Sequence, residues 1–461
     1  MKKILSIVLS IVLMFSCIPF SSADLSGDVD GNGKVNSSDA LIVLQYSVGQ
    51  IKTISKARAD VNGDGNINSS DALIVLQISV GMITLDQTDS ISGIDYDVPA
   101  YCVTAASLVA EKINNMKNRG HKLLIFGAIT DNHINLDSGY VDLTKQAIKH
   151  ANYALSRISN LTNPDFLVNL GDNNWATTMD TENSQSELAF FNETIGTTFS
   201  NYLSFRLIGN HDTSKSMNKV YSLIGSFNQF DKTGATPQRC YGYKDFYDKK
   251  VRVICINTCD YNNFNGGYGM SYEQKKFIAD SLDLSDKADM NEWQILLLSH
   301  IPLDFNVNAG YTTTGDYNTR TDIKAILDAY VKGSSVTISV NPTYVKDQND
   351  TVTSNFTKNY SKKNGAKIIA NIHGHLHMLT AAKMEDNDIY RICTPNSCYY
   401  NSYGSNYGYI SSDGKAYAKS HGSAADTSVT FYVIDLTSKS IDAFCYGAGY
   451  DRKFFYTDVI Q

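Results

Sequence analysis

Tyr202-Leu203-Ser204-Phe205-Arg206-Leu207-Ile208 is a short apolar run that ends in Gly209-Asn210-His211-Asp212. The run has the length and character of a buried strand. In open α/β sheets, a polar cluster just past such a strand lies where ligands bind. Alone, an Asn-His-Asp loop serves a turn as readily as a site. The reading therefore depends on whether other strand ends carry similar groups.

Four others do. Lys122–Ala128 leads to Asp131-Asn132-His133. Asp165–Leu170 ends in Gly171-Asp172-Asn173-Asn174. Trp293–Ser299 ends in His300-Ile301-Pro302, and Lys367–Ile372 in His373-Gly374-His375-Leu376-His377. Helical periodicity runs through Ala105–Asn118, Asp142–Ser159, Ser184–Ile195, Ser271–Leu282 and Thr321–Lys332, and Val251–Asn257 is a further strand. This alternation predicts α/β layering. Gly333–Lys363 is polar and reads as an insertion or long excursion, while Ser428–Phe444, turning at Thr437-Ser438-Lys439, reads as a hairpin. A lone D-x-H or strand-end histidine is usually structural, but the ordered set of five is not.

That ordered set, D-x-H, G-D-x-x, G-N-H-D, H and G-H-x-H, resembles the calcineurin-like metallophosphoesterase superfamily. The likeness extends from Tyr101 or His121 to the C-terminus, about 340 residues. It implies a four-layer α/β/β/α sandwich. It also implies one metal site from Asp131, His133, Asp172 and His377, and a second from Asp172, Asn210, His300 and His375, with Asp172 bridging. Carboxylate and imidazole ligands suit Mn, Fe or Zn. The implied reaction is hydrolysis of phosphate mono- or diesters by a metal-bridging hydroxide attacking phosphorus in line. His211 would not be a ligand; it would stabilise the transition state or protonate the leaving oxygen. Asp212 would orient His211 and raise its pKa, and Gly209 would let the backbone turn off the strand. Asn174 stands where many relatives have an acidic residue and is either a support for the ligands or a turn residue. In an extended strand His373, His375 and His377 would share one face; His373 is read as support or packing, with a three-histidine site as the alternative. Two other functions stay open: a metallohydrolase acting on another bond, and a non-catalytic or adhesive module that keeps the phosphoesterase fold.

The N-terminal part carries a repeat at an offset of 32 residues. Asp28–Gly49 and Asp60–Gly81 are identical at 17 of 22 aligned positions. Each begins with a calcium-loop pattern. Oxygen ligands fall at Asp28, Asp30, Asn32, Asn36 and Asp39, with the Lys34 carbonyl, and again at Asp60, Asn62, Asp64, Asn68 and Asp71, with the Asn66 carbonyl. Gly33 and Gly65 sit where the loop turns sharply. Amphipathic segments, Ala40–Val48 and Ala72–Val80, follow directly. The first loop leaves no room for an entering helix. A duplicated loop-plus-exiting-helix resembles a type I dockerin module, an all-α domain holding two Ca²⁺. The resemblance implies cohesin contacts through Ser37-Ser38 and Ser69-Ser70, then Gln45-Tyr46 and Gln77-Ile78, with two symmetry-related ways of docking. The cohesin would belong to a scaffoldin, in company with polysaccharide-degrading enzymes.

Composition bounds the rest. Lys2-Lys3, the apolar stretch Ile4–Phe15 and Ser21-Ser22-Ala23 read as a secretory signal peptide over residues 1–23. The dockerin would span 24–86, a polar linker 87–100 and the catalytic domain 101–461. No other stretch is apolar enough to span a membrane. Formal charge is −7, about −9 once Lys2 and Lys3 leave with the leader. An acidic chain has no general attraction for nucleic acid or anionic membranes, so no stable partner of either kind is expected. Losing Cys17 leaves seven cysteines, an odd number, so at least one thiol has no partner within the chain. Cys393 and Cys398 are spaced for a local bond. The expected setting is secreted, extracellular and cellulosome-associated.

Overall fold

The computed structural model describes residues 27–61, 67–80 and 98–456, less 137–138, 140, 176–180, 215–219, 221–222, 225–227, 235–239, 261–268, 305–316, 340–354, 362–366, 399–408, 411–415, 418 and 421. The expected leader, Asn62, Asp64, Gly65, Asn66, most of the expected linker and residues 399–408 lie outside the described residues. The chain divides into two compact units. One comprises Met1–Asp95 with Pro99–Thr104, the other Tyr96–Val98 with Ala105–Gln461.

In the first unit, α1 (Ser37–Ser47), α2 (Lys56–Ala59) and α3 (Ser69–Ser79) surround a small core of Ala40, Val43, Ala59, Val61, Ala72 and Val75. Asn36 caps α1: its side chain accepts from the Ser38 N–H while Asp39 accepts from the Asn36 N–H. These bonds satisfy donors that a helix start leaves unpaired.

Helix α4 (Ala100–Lys117) is longer at its start than the periodicity predicts, and its residues from Ala105 onward belong to the second unit. Its first sheet holds β1 (Leu123–Ile129), β2 (Phe166–Asn169) and β3 (Ser204–Arg206) side by side and parallel. The second sheet contributes β4 (Lys232–Thr233), β5 (Gly242–Phe246), β6 (Val251–Ile256) and β7 (Gln294–Ser299). The polar excursion after Gly333 contains β8 (Ser335–Ser339) and β9 (Asn355–Asn359), an antiparallel pair. β10 (Lys367–His373), β11 (Ala381–Lys383) and β12 (Tyr390–Cys393) complete the second sheet, in the order β11-β12-β10-β7-β6-β5-β4. A small pair, β13 (Tyr409–Ile410) and β14 (Ala416–Tyr417), follows. The predicted hairpin forms as β15 (Ser428–Asp435) and β16 (Ser440–Gly447), and β17 (Arg452–Phe455) extends it, giving the first sheet its order β17-β16-β15-β1-β2-β3.

The sheets face each other. Leu124, Phe126, Ala128, Phe166 and Val168 from the first interdigitate with Val251, Val253, Leu296, Leu298 and Ile372 from the second, all of them buried. Such runs are apolar throughout because both faces of a parallel centre are covered. Helices α5 (Val141–Thr162) and α6 (Glu182–Ser200) cover the outer side of the first sheet. Helices α7 (Tyr272–Ser281) and α8 (Tyr317–Lys332) cover the second, through Ile278, Leu282, Ile323, Ile326 and Leu327 against Ile254, Ile256, Ile295 and Leu297. The result is the expected α/β/β/α sandwich. The excursion is part of this packing, since Val336, Ile338 and Phe356 join the same outer core. The parallel strands β1, β2 and β3, and β6, β7, β10 and β12, send their C-terminal ends to one side, where the site lies.

Among the described residues no cysteine forms a disulfide. Cys393 and Cys398 do not pair with each other: the Cys393 thiol lies 3.5 Å from the Gly374 carbonyl, and Cys398 Sγ accepts from Asn396 Nδ2 at 2.9 Å. No described helix is long and apolar enough to cross a membrane.

Candidate metal centre

Seven side chains converge from five strand ends. Asp131, His133 and His377 offer ligand atoms within 4.8 Å of one another, as do Asp172, His300 and His375. The first trio joins the loop after β1 to the loop after β10, and the second joins the loops after β2, β7 and β10.

The backbone is bent to achieve this. Asp131, His133, Asp172, His375 and His377 all have left-handed φ, between 38° and 69°. Side chains other than glycine avoid this region at a cost of about 1–2 kcal/mol each. Five such residues in one cluster mean that the fold enforces the arrangement against local preference. The same feature resolves the His373-Gly374-His375-Leu376-His377 segment. β10 ends at His373, and the left-handed residues after it send His375 to one trio and His377 to the other. His373 stays behind, buried, its Nδ1 donating to the Gly374 carbonyl at 2.8 Å, with burial pushing its pKa down to about 3.

Backbone carbonyls orient the imidazoles. His133 Nδ1 lies 3.2 Å from the Asn174 carbonyl and His300 Nδ1 3.0 Å from that of Leu170. A carbonyl only accepts, so Nδ1 carries the hydrogen and Nε2 presents its lone pair. His133 Nε2 then faces Asp172 Oδ2 at 3.6 Å, Asp131 Oδ1 at 3.8 Å and His377 Nε2 at 2.9 Å. His300 Nε2 faces the same Asp172 Oδ2 at 3.2 Å. One carboxylate oxygen thus lies between the two imidazoles, as a bridging ligand must. The other, Oδ1, accepts from the His211 N–H at 2.8 Å and is held in place.

Electrostatics keep these groups ready to bind a cation. Burial, then the nearby His211, pushes His133 down to about 4, and burial pushes His375 down to about 3, so both are neutral. Burial opposes ionisation of Asp131 and Asp172, but His377 and His133 around the first and His300 and His211 around the second outweigh it and hold both carboxyls well below their usual range. Burial also disfavours a charged His300, yet the Asp172 carboxylate overrides it and lifts His300 to about 9. The pair needs a positive charge between its atoms, whether a proton or a metal ion. Two buried atoms at the second site, Asn210 Oδ1 and His300 Nε2, meet no hydrogen-bond donor among the described residues. Lone pairs of neutral nitrogen and amide oxygen, aimed with carboxylates at one point, fit a divalent transition metal.

Three residues act differently from expectation. Asp212 does not touch the His211 ring. Its fully buried carboxylate accepts from the backbone N–H groups of Asp172 (2.8 Å), Asn173 (2.8 Å) and Gly209 (3.0 Å), and from Asn173 Nδ2 (3.2 Å). Burial and the Asp172 charge push it up to about 6, which still leaves it ionised at neutral pH, as four donors require. Asp212 thus holds the Asp172 loop, and the His211 ring is oriented by the Trp175 carbonyl, 2.8 Å from Nδ1. His211 also joins His133 and Asp172 in a further trio, its ring 4.6 Å from that of His133. Gly209 does not turn the chain either, since its φ of −96° and ψ of 174° suit any residue. It is glycine for want of room: a Cβ would lie 2.0 Å from Asp172 Oδ1. Asn174, open between support and turn, supports His133 through its carbonyl. The side-chain reading missed Leu170 and Trp175, which act through carbonyls that every residue type possesses, and Thr130, whose hydroxyl donates to Asp131 at 2.8 Å.

In the first unit Asp28, Asp30 and Asp39 bring carboxylate oxygens within 4.8 Å, two of the three residues being buried. Converging buried carboxylates call for a cation, and hard oxygens suit Ca²⁺. Asp28 accepts from the Asn32 and Gly33 N–H groups and Asn32 Oδ1 from the Lys34 N–H, so the loop is wrapped around its acids. Asn36 Oδ1 is engaged in capping α1. The second loop repeats the closing contact, with Asp71 accepting from the Asn68 N–H at 2.9 Å as Asp39 does from Asn36. Ser37, Ser38 and Ser69 are exposed, as a contact surface requires, and Ser70 lies in α3.

A sequence profile described as calcineurin-like phosphoesterase matches residues 124–379, and one described as dockerin type I domain matches residues 26–77. No curated protein sequence gives a match. Among solved structures, a dimetal phosphatase from Danio rerio aligns over 72% of this chain and 99% of its own at 11% identity and a TM-score of 0.47. A purple acid phosphatase from yellow lupin (Lupinus luteus) seeds aligns over 72% and 54% at 10% identity and 0.39. The anchor protein of the inner membrane complex of Plasmodium aligns over 73% and 89% at 15% identity and 0.40.

Proposed function

The chain belongs to the calcineurin-like phosphoesterase family and carries a type I dockerin domain, and from that premise we propose a secreted dimetal hydrolase of phosphate mono- or diesters that docks on a cohesin. The observation that carries this reading is the position of Asp172 Oδ2, 3.6 Å from His133 Nε2 and 3.2 Å from His300 Nε2. Asp131, His133, Asp172 and His377 would hold one divalent ion, and Asp172, Asn210, His300 and His375 the other, with Mn, Fe or Zn matching these donors. Two such ions would supply an acidified water and neutralise charge on the phosphoryl oxygens.

The remaining work falls to the chain's own residues. Asp172, clamped through Oδ1 by the His211 N–H, keeps Oδ2 in one direction. His211 has its Nδ1–H committed to the Trp175 carbonyl, which leaves Nε2 to face the substrate. Protonated, Nε2 donates to a phosphoryl oxygen or to the leaving oxygen. Asp212 is a positioning residue that fixes Gly209, Asp172 and Asn173 relative to one another. No serine or cysteine nucleophile is required, and burial keeps the nearby thiols of Cys259 and Cys393 protonated.

Calcium in the loops beginning at Asp28 and Asp60 would order the dockerin, whose Ser37, Ser38, Ser69 and Ser70 face a scaffoldin's cohesin. The protein would then work outside the cell, in a cellulosome, with a leader over 1–23, a dockerin over 24–86, a linker over 87–100 and a catalytic domain over 101–461. The test is hydrolysis of p-nitrophenyl phosphate against its bis-ester by metal-reconstituted protein. Wild-type release of p-nitrophenol, lost in Asp172→Asn and reduced in His211→Ala, is expected. Equal activity in Asp172→Asn would sink the dimetal mechanism, and no phosphate release from any ester with both metals bound would sink the phosphoesterase reading.

A further inference from the structure

The first unit displays two matched apolar stripes. Ser37, Leu41, Leu44 and Val48 follow one another at steps of four, three and four, and so share one face of α1 and its C-terminal cap. Ser69, Leu73, Leu76 and Val80 repeat the pattern on α3. Leu41, Leu44 and Val48 are 54%, 41% and 67% exposed, and Leu73, Leu76 and Val80 are 57%, 42% and 64% exposed. The opposite faces are spent on the core, through Ala40, Val43, Ala72 and Val75. The one acid in each helix, Asp39 or Asp71, is fully buried at the calcium loop. Neither helix contains a lysine or arginine. Both outward faces are therefore apolar and uncharged, edged by serine hydroxyls and by Gln45 or Gln77.

Paired exposed stripes of this kind mark a contact surface. Resting on the reading of this unit as a cohesin-binding domain, we propose that its partner is a cohesin whose platform is itself apolar and uncharged. A platform rich in acidic or basic side chains would lose their hydration on this surface and find no counter-charge, so such cohesins are rejected. Attraction to an anionic membrane is not the alternative, because that requires a basic polar face. The complex forms by apolar burial and hydroxyl hydrogen bonds, without ion pairs.

The test uses the calcium-loaded full chain and purified type I cohesin modules whose platforms are either uncharged or acidic, titrated by calorimetry. Uncharged platforms are expected to bind most tightly, with Kd changing less than about threefold between about 50 and 500 mM NaCl, because salt screens only charge pairs. Tightest binding to acidic platforms, or weakening by about tenfold with salt, would overturn the proposal. The double variant Leu44→Glu with Leu76→Glu changes exposed positions only, and its calcium-dependent helicity verifies folding. It is expected to bind at least about a hundredfold more weakly, and unchanged affinity would also overturn the proposal. So would a stable dimer of the chain alone that the double variant abolishes, since a second copy would then be the occupant. A folded, calcium-loaded chain that binds no cohesin at all would instead refute the cohesin-binding reading on which the proposal rests.

Discussion

Replacing Gly209 by alanine adds one methyl group at the point where the two loops that carry Asp172 and Asn210 touch. Backbone strain plays no part, because φ of −96° and ψ of 174° are ordinary for alanine. The new Cβ would lie 2.0 Å from Asp172 Oδ1, 2.6 Å from its Cγ and 2.4 Å from its backbone nitrogen. A contact below 3.0 Å is not sustained, so the carboxylate must retreat by about 1 Å. It cannot simply rotate away, since Oδ1 is tied to the His211 N–H at 2.8 Å and Oδ2 lies between His133 and His300. Nor is the Asp172 nitrogen free, because it donates to Asp212 at 2.8 Å. A displacement of this size at a reacting centre costs about a hundredfold in rate, or about 2.7 kcal/mol of barrier. Overpacking costs about 1–3 kcal/mol of stability. Gly209→Ala should therefore lose both metal stoichiometry, read by elemental analysis, and about 10² in kcat/KM on whichever p-nitrophenyl ester is turned over. Gly139→Ala, where a Cβ meets nothing within 4 Å, should change neither. Full metal content with kcat/KM within threefold of wild type in Gly209→Ala would refute the reasoning.

Other expected outcomes follow from the same geometry. Asn210→Ala removes a proposed ligand from the second site alone and should lower metal content towards one ion per chain, whereas Asp172→Asn should disturb both sites. Asp212→Ala removes the acceptor of four buried N–H donors and should destabilise the second unit by about 3 kcal/mol or more in urea unfolding, with metal affinity reduced because Asp172 is no longer anchored. Asp245 forms a buried fork with Arg252, at 2.7 and 2.9 Å, and a contact with Lys287 at 2.8 Å. Burial pushes its pKa up, but those cations outweigh it and hold the carboxyl below its usual value. The stability it contributes is therefore present above the unfolded carboxyl pKa, near 4, and is lost as pH falls through the folded value. Asp245→Asn should cost about 3 kcal/mol at pH 7 by removing the buried carboxylate charge that faces Arg252 and Lys287, and the gap to wild type should narrow towards pH 3. Chelating calcium should remove helical circular dichroism from the first unit, and Asp39→Ala should weaken calcium binding there.

Much of this was legible because the chemistry sits in side chains at fixed points of a repeating pattern. The five strand ends and the duplicated loops could be read from residue order alone, as could the inter-sheet core, because fully apolar runs leave few alternatives. The sequence reading ran out where the backbone does the work. His375 and His377 share a face only if the strand continues, and the left-handed turns that separate them have no signature in His-Leu-His. The role of Asp212 was misread because proximity in sequence to His211 suggested proximity of their side chains, whereas three backbone donors claim the carboxylate. β5 escaped notice because Lys244 and Asp245 interrupt its apolar pattern, and their charges are paired by Asp231 and Arg252 respectively. The excursion after Gly333 looked polar because the outward residues of β8 alternate with just two inward ones, Val336 and Ile338.

The proposed ligands come from both sheets: Asp131, His133, Asp172 and Asn210 from loops of the first, and His300, His375 and His377 from loops of the second. The centre is thus a rivet through two plates. Any slippage of one sheet over the other would be felt as a change in ligand spacing, and occupancy by ions would in turn resist that slippage. Ion affinity becomes a gauge of how well the sandwich is closed, even for substitutions deep in the Phe126–Phe166 layer that touch no ligand. Ions that bind only the closed sandwich add stability in proportion to the logarithm of their concentration, so the second unit should resist unfolding more strongly when loaded than its apolar core alone would allow.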